Sequence, residues 1–338
     1  MENHHIGNHS IKFSSAPVIL GWSSVAGKKE SEGPFGGKFD QILQDSYANE
    51  KTWEQAERKI QQTALDILLQ KTNHKYSELD AVVSGDLLNQ CISSSMSLNN
   101  MGVSHLGLYG ACSTMAESMI VSSVLTSGHF CNKVVAMTSS HFAASERQFR
   151  FPLDYGGQRP PTSQWTVTGS GAVLLGNTGI GPKITSCTIG TVVDLGITDA
   201  NNMGAAMAPA ALKTIHSHLT DLCVTPDYYD YIVTGDLGRL GVIALIELGA
   251  KVGLDLEGRI FDCGVEIFDT TRQDVHAGGS GCGCSAVVLC AHLLDQLKQK
   301  KLTRILFCGT GALLSPTSVQ QKLSIPGICH AVCIEGGN

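Results

Sequence analysis

Residues 77–87 read Ser77-Glu78-Leu79-Asp80-Ala81-Val82-Val83-Ser84-Gly85-Asp86-Leu87. Residues 227–237 read Asp227-Tyr228-Tyr229-Asp230-Tyr231-Ile232-Val233-Thr234-Gly235-Asp236-Leu237. Each is a short apolar run closed by Gly-Asp, the pattern of a buried strand that ends in a tight turn. Asp80, Gly85, Asp86 and Leu87 recur as Asp230, Gly235, Asp236 and Leu237, at an offset of 150. Further along, the run at 134–140 has a counterpart at 305–311, now at an offset of 171. The second copy therefore carries about twenty extra residues, which the helix-like stretch 240–249 and the loop after it account for.

Strand and helix patterns alternate throughout, so the chain is α/β. Pro17–Trp22 is an apolar run ending a polar start. Thr52 stands where a helix cap is expected for the pattern from Trp53 to about Gln70. Strands are expected at 133–140 and 168–176. The duplication predicts two halves, 1–178 and 179–338, related by a pseudo-twofold. Residues 1–16 and 27–40 read as loose, polar segments.

Composition sets outer limits. The chain has 338 residues, 43% of them hydrophobic, which is ample material for two cores. A net charge of −6 with no basic run argues against nucleic-acid binding. The N-terminus lacks the charged and apolar regions of a secretory signal, and no apolar run reaches the roughly 18–20 residues of a membrane span. Twelve cysteines, most of them inside apolar runs, point to a reducing compartment rather than a disulfide framework.

One cysteine stands apart. In Tyr109-Gly110-Ala111-Cys112-Ser113-Thr114-Met115-Ala116-Glu117, a small-residue turn delivers Cys112 to the start of a helix pattern running to about Thr126. Unpaired backbone amides and the helix dipole at such a position favour thiolate, and Ser113 and Thr114 are alternative caps. The other reading of this stretch is a buried structural cysteine. At the second offset the same turn falls on Gly281-Cys282-Gly283-Cys284, so two glycine-and-cysteine turns open two corresponding helices. Equivalent helix starts meet near a pseudo-twofold axis, which places Cys112 close to residues 276–284.

A cysteine nucleophile needs a neighbouring base or donor. His276, just ahead of Gly278-Gly279-Ser280-Gly281, is the candidate; a satisfied loop histidine is the alternative. The stretch from His141 to Trp165 carries Arg147, Arg150 and Arg159, suited to carboxylate recognition. Internal pairing, for instance with Asp154, is the alternative there. Cys282-x-Cys284 and Cys329-His330-x-x-Cys333 lack the two well-spaced pairs of a structural zinc site, and Gly169-Ser170-Gly171 precedes a strand, not the helix a phosphate loop requires.

The duplicated α/β halves, the cysteine after Tyr-Gly-Ala at a helix start and Thr168-Gly169-Ser170-Gly171-Ala172 resemble the thiolase and ketoacyl-synthase superfamily. Tyr109 to Glu117, Ser139-Ser140-His141, Gln148 to Gly156 and Gln158 to Gly169 are similar, more narrowly, to the stage V sporulation protein AD family of spore-forming Firmicutes. The resemblance covers nearly the whole chain. It implies a thiolase-like fold layered α-β-α-β-α, usually homodimeric. It also implies a part in dipicolinic acid uptake into the developing spore: binding of dipicolinate, free or with calcium, beside membrane proteins of the same operon, peripherally at the spore inner membrane. No cofactor or metal of the protein's own comes with it, calcium entering only with the ligand. Condensing enzymes pair their cysteine with two residues of the second half. The first falls here on Gly235-Asp236-Leu237-Gly238, where no histidine stands; the second matches His276, with Ala277 in place of a proline. A carboxylate at 236 raises the pKa of a nearby thiol. The reading is therefore a binding protein rather than an enzyme, with an acyl-transfer or condensing enzyme using Cys112 as the alternative. The expected pocket is Cys112, His141, Arg147, Arg150, Arg159 and His276.

Overall fold

The computed structural model describes residues 4–149 and 159–337. Ten of its strands fall into two sets of five. The first set is β1 (Val18–Ala26), β2 (Ala81–Gly85), β3 (His105–Gly107), β4 (Lys133–Ser140) and β5 (Gly169–Gly176). The second is β6 (Lys183–Thr188), β7 (Tyr231–Thr234), β8 (Ile260–Asp262), β9 (Arg304–Ala312) and β10 (Gly327–Glu335). Spatial order is β1-β5-β4-β2-β3 in one half and β6-β10-β9-β7-β8 in the other, the same path twice. Pair directions repeat as well: the first two pairings are antiparallel and the last two parallel in both halves. The half-sheets touch edge to edge at Val18 and Lys183.

Three helical layers cover these sheets. Helix α1 (Trp53–Thr72) starts where Thr52 accepts from Gln55 N and ends at the left-handed Asn73. Its Ile60, Ala64, Leu65 and Leu68 pack on Val135, Met137 and Leu174. Strand side chains alternate faces, so Ala136, Val173 and Leu175 point the other way, into the middle layer. That layer is made by α2 (Thr114–Ser127) and by a helix that opens at Cys282 and continues to Lys298. Met115, Met119, Val287 and Leu294 meet Val173 from one sheet and Ile305, Phe307 and Val332 from the other. On the far side, Met207, Ala211, Ile215 and Leu219 of Met203–Leu222 cover Leu306, Ala331 and Cys333. The result is α-β-α-β-α.

Glycines let the middle helices sit close. A Cβ on Gly309 would lie 2.7 Å from Ala116 Cβ, and one on Gly171 2.6 Å from the carbonyl carbon of Ala286. The extra residues of the second half are accommodated where the change of offset puts them. Gly238–Lys251 has 14 residues, against six in Ile92–Ser97 of the first half.

Two segments expected to be loose are ordered. His5–Ile6 and Ser10–Lys12 form strands, the second pairing with β6. Ser10 Oγ bonds Thr188 and donates to Asp221, and Phe13 is buried, so tertiary contacts override a polar composition. Within 27–40, Lys28–Ser31 is a helical turn whose buried Glu30 accepts from Thr168 N. Among the described residues no helix is long and apolar enough to cross a membrane.

Candidate functional site

Cys112 sits in a 3-10 turn, Ala111–Ser113, that leads into α2. Neither expected cap forms. Ser113 Oγ donates to Gly110 O at 2.6 Å, and Thr114 Oγ1 donates to Ala111 O at 2.7 Å while accepting from Gly110 N. The expected electropositive setting does not control the thiol either. Cys112 is 6% exposed, and burial first, then the Asp236 carboxylate, push its thiol well above the ordinary range.

Asp236 lies at the end of β7, in the turn that repeats Asp86. Its Oδ2 accepts from Gly281 N at 2.9 Å and Ser280 Oγ at 3.1 Å, and its Oδ1 from Thr310 Oγ1 at 2.8 Å. Ser280 Oγ is also 4.0 Å from Cys112 Sγ. Burial raises the Asp236 carboxyl, while these donors and the Cys112 thiol pull it down. Of the two acids the carboxylate loses its proton first. Gln164 Nε2 ties the turn in place, donating to Asp236 O at 2.7 Å and Gly279 O at 2.8 Å.

Cys112 and Ser280 line a cleft open to solvent. Tyr109, Leu87, Met203 and Leu314 give it apolar walls, and Thr166 adds a hydroxyl. Helix α3 (Phe142–Phe149) supplies Ser145, Glu146 and Phe149. Ser145 Oγ is buried with no hydrogen-bond partner among the described residues, so it is available to a bound group.

The expected pocket residues separate. Arg159 stands behind the cleft wall, 3.1 Å from Glu146 Oε1 and stacked over Phe142 and Trp165. Those rings lie 3.8 Å apart and nearly parallel. Arg147 is on the outer side of α3, paired with Glu54 over Trp53, beside a separate surface cleft. His141 is buried away from the lining; its Nε2 donates to Ser46 O at 2.7 Å and its Nδ1 accepts from Ala144 N, so it braces the start of α3. His276 adopts the left-handed conformation, and its Nε2 is 3.3 Å from Asp274. The residue this glycine turn brings to Cys112 is Ser280, four positions on, because Gly279–Ser280 pairs with Trp165–Thr166. Arg150 lies outside the described residues. Among those described, no group of three or more His, Cys, Asp or Glu side chains is placed to hold a metal ion.

Ser145, Phe149, Met203 and Leu314 carried no signal in the sequence. They meet Cys112 only through tertiary packing: Met203 opens a helix that repeats Trp53–Thr72 at the offset of 150, yet it is Met203 that lines the cleft.

The architecture is that of the thiolase and ketoacyl-synthase fold. The chain aligns with 3-oxoacyl-[acyl-carrier-protein] synthase III from Aquifex aeolicus VF5 at a TM-score of 0.57 and 13% identity, covering 94% of this chain and 99% of that one. Cerulenin-bound Xanthomonas campestris OleA gives 0.60 and 14%, over 96% and 97% of the two chains. Human mitochondrial 3-ketoacyl-CoA thiolase in complex with CoA gives 0.59 and 11%, over 98% and 100%. At these identities the likeness concerns the fold. Sequence is narrower: residues 7–335 match the family model described as stage V sporulation protein AD. Stage V sporulation protein AD of Bacillus subtilis (strain 168) is 46% identical over 329 residues, 97% of either chain. The chain belongs to the stage V sporulation protein AD family.

Proposed function

We propose that the cleft floored by Cys112 binds dipicolinic acid, free or calcium-bound, for uptake into the developing spore, and that no acyl transfer takes place there. The observation that carries the non-catalytic half is Asp236. A condensing or thiolytic cysteine needs a partner that takes its proton or polarises a thioester carbonyl. Asp236 is a buried carboxylate that accepts hydrogen bonds, a group with no proton to offer a thioester oxygen and a charge that does not favour a thiolate beside it.

The ligand half rests on family membership and on the lining. A planar dianion suits a small cleft with flat apolar walls and a few hydroxyl donors, here Tyr109 and Phe149 with Ser145, Thr166 and Ser280. Arg159 is one residue removed. Its guanidinium is held by Glu146, and a ligand carboxylate competes for the same donors. Homodimer formation, contact with membrane proteins of the same operon and a peripheral position at the spore inner membrane rest on the family resemblance alone. Sedimentation of the protein with co-expressed membrane partners tests them.

Calorimetric titration with dipicolinate, with and without calcium, tests the reading. Arg159→Ala is expected to weaken binding about tenfold or more, since it removes a donor and leaves Glu146 facing a dianion. Arg147→Ala, on the outer side of α3, is expected to bind normally. Absence of heat with the intact protein would remove the ligand assignment. Incubation with acyl-CoA followed by intact mass, showing a stable adduct that Cys112→Ala abolishes, would replace it with the enzyme reading.

A further inference from the structure

We propose that Asp236 is the positioning residue of this site: fixed by Thr310 and Gly281 and bridged to Cys112 by Ser280, it holds Cys112 as a neutral thiol and so keeps the inherited nucleophile silent. The inference rests on the non-catalytic reading of the cleft. It does not rest on the ligand, so its failure leaves dipicolinate binding untouched.

The geometry is specific. A carboxylate left to rotate could turn from the thiol. Asp236 cannot, because three donors from two segments fix both oxygens: Gly281 N, Ser280 Oγ and Thr310 Oγ1. Its backbone is fixed too, with its N–H donating to Thr310 Oγ1 at 3.0 Å and its carbonyl accepting from Gln164. Gly264 packs close to its backbone; a Cβ there would lie 3.3 Å from Asp236 Cα. A fixed negative charge beside a buried sulfur disfavours a second one. Among the described residues, the other ionisable groups around Cys112 are Cys282 and Cys284, Tyr109 above the turn, and Glu146 of α3, whose charge Arg159 offsets. None of them is a cation aimed at the sulfur.

Asp86 supplies the control. It occupies the repeat-related position, is fully buried, and is bonded to Leu88 N and Ser94 rather than to the cysteine.

The test is site-resolved alkylation by iodoacetamide, in which the thiolate displaces iodide and the resulting thioether is quantified by peptide mass. The reagent reaches Cys112 through the cleft. In the wild-type protein the Cys112 rate is expected to rise tenfold per pH unit up to pH 10 without levelling. Asp236→Asn keeps the shape and removes the charge; it is expected to raise the Cys112 rate at pH 8 at least tenfold and to bring a plateau into that range. Asp86→Asn is expected to leave the rate within twofold. Cys187 and Cys290, buried elsewhere, report unfolding, and their rates should stay flat in both variants. A wild-type plateau at or below the ordinary thiol pKa of about 8.5 overturns the proposal, and it does so even if Asp236→Asn does not fold. An unchanged Cys112 rate in a folded Asp236→Asn overturns it too.

Discussion

The two halves follow the same path and use the same residue for opposite ends. Asp80 accepts from Asn132 N and Lys133 N at the start of β4, and Asp230 accepts from Thr303 N and Arg304 N at the start of β9. These are one interaction built twice. Six residues further on, the repeat breaks. Asp86 folds back on its own segment, taking Leu88 N, Ser94 N and Ser94 Oγ. In the second half that duty has passed to Asp262, which accepts from Leu237 N, Gly238 N, Val265 N and Thr234 Oγ1. Asp236 is thereby released to reach across to Ser280, Gly281 and Thr310, beside Cys112. Duplication preserved the hydrogen bonds that build the sheet, and the half with a spare carboxylate turned it toward the site.

That comparison can be broken most sharply at the middle layer. Gly171→Ala and Gly309→Ala each force a methyl against a helix of the opposite face, where a backbone or Cβ atom already lies within 2.7 Å. Each is expected to cost about 3 kcal/mol, read by denaturant unfolding. If one is tolerated and the other is not, the halves do not grip the central helices equally. A smaller and matched loss is expected for Asp80→Ala and Asp230→Ala, whose bonds are near the surface: about 1 kcal/mol each. Values differing by more than about that amount would mean the shared interaction is only a resemblance.

The halves should also respond oppositely to pH. In the first, burial raises the Glu30 carboxyl to about 7 from its ordinary value of 4.5, against a hydrogen bond from Thr168. The folded state holds that proton longer than the unfolded chain. Its contribution is therefore present at low pH and is lost as pH rises through about 7. In the second, burial lowers His218 to about 4, beneath its ordinary 6.5. The unfolded chain protonates first, and stability falls as pH drops from about 6.5 toward 4. Glu30→Gln is expected to flatten the alkaline side of a stability-against-pH curve, and His218→Gln the acid side. These would contradict the account if both variants moved the same limb.

Much of this fold was legible because strands advertise themselves by composition and because Asp80 and Asp230 repeat with their surroundings. The position of the longer helix followed from the change of offset between strands. The site was legible only in part. Cys112 and the odd carboxylate at 236 stand in sequence as anomalies. Yet the identical Gly-Asp-Leu of 85–87 and 235–237 gave no sign that the two aspartates would diverge, since the deciding residue is Asp262. His276 was misplaced for a similar reason. Which residue of a glycine turn meets the sulfur depends on the pairing of Gly279 and Ser280 with Trp165 and Thr166, a contact more than a hundred residues apart. The arginines were read as one group because they are close in sequence, but a helix sends Arg147 and Glu146 to different sides.

The central claim is that Cys112 is the floor of a binding cleft and not a nucleophile. Calorimetric titration of dipicolinate into the wild-type protein and into Cys112→Ser tests it most directly. The account predicts that both bind, with affinities within about tenfold, or ~1.4 kcal/mol. Complete loss of binding by a correctly folded Cys112→Ser would contradict it.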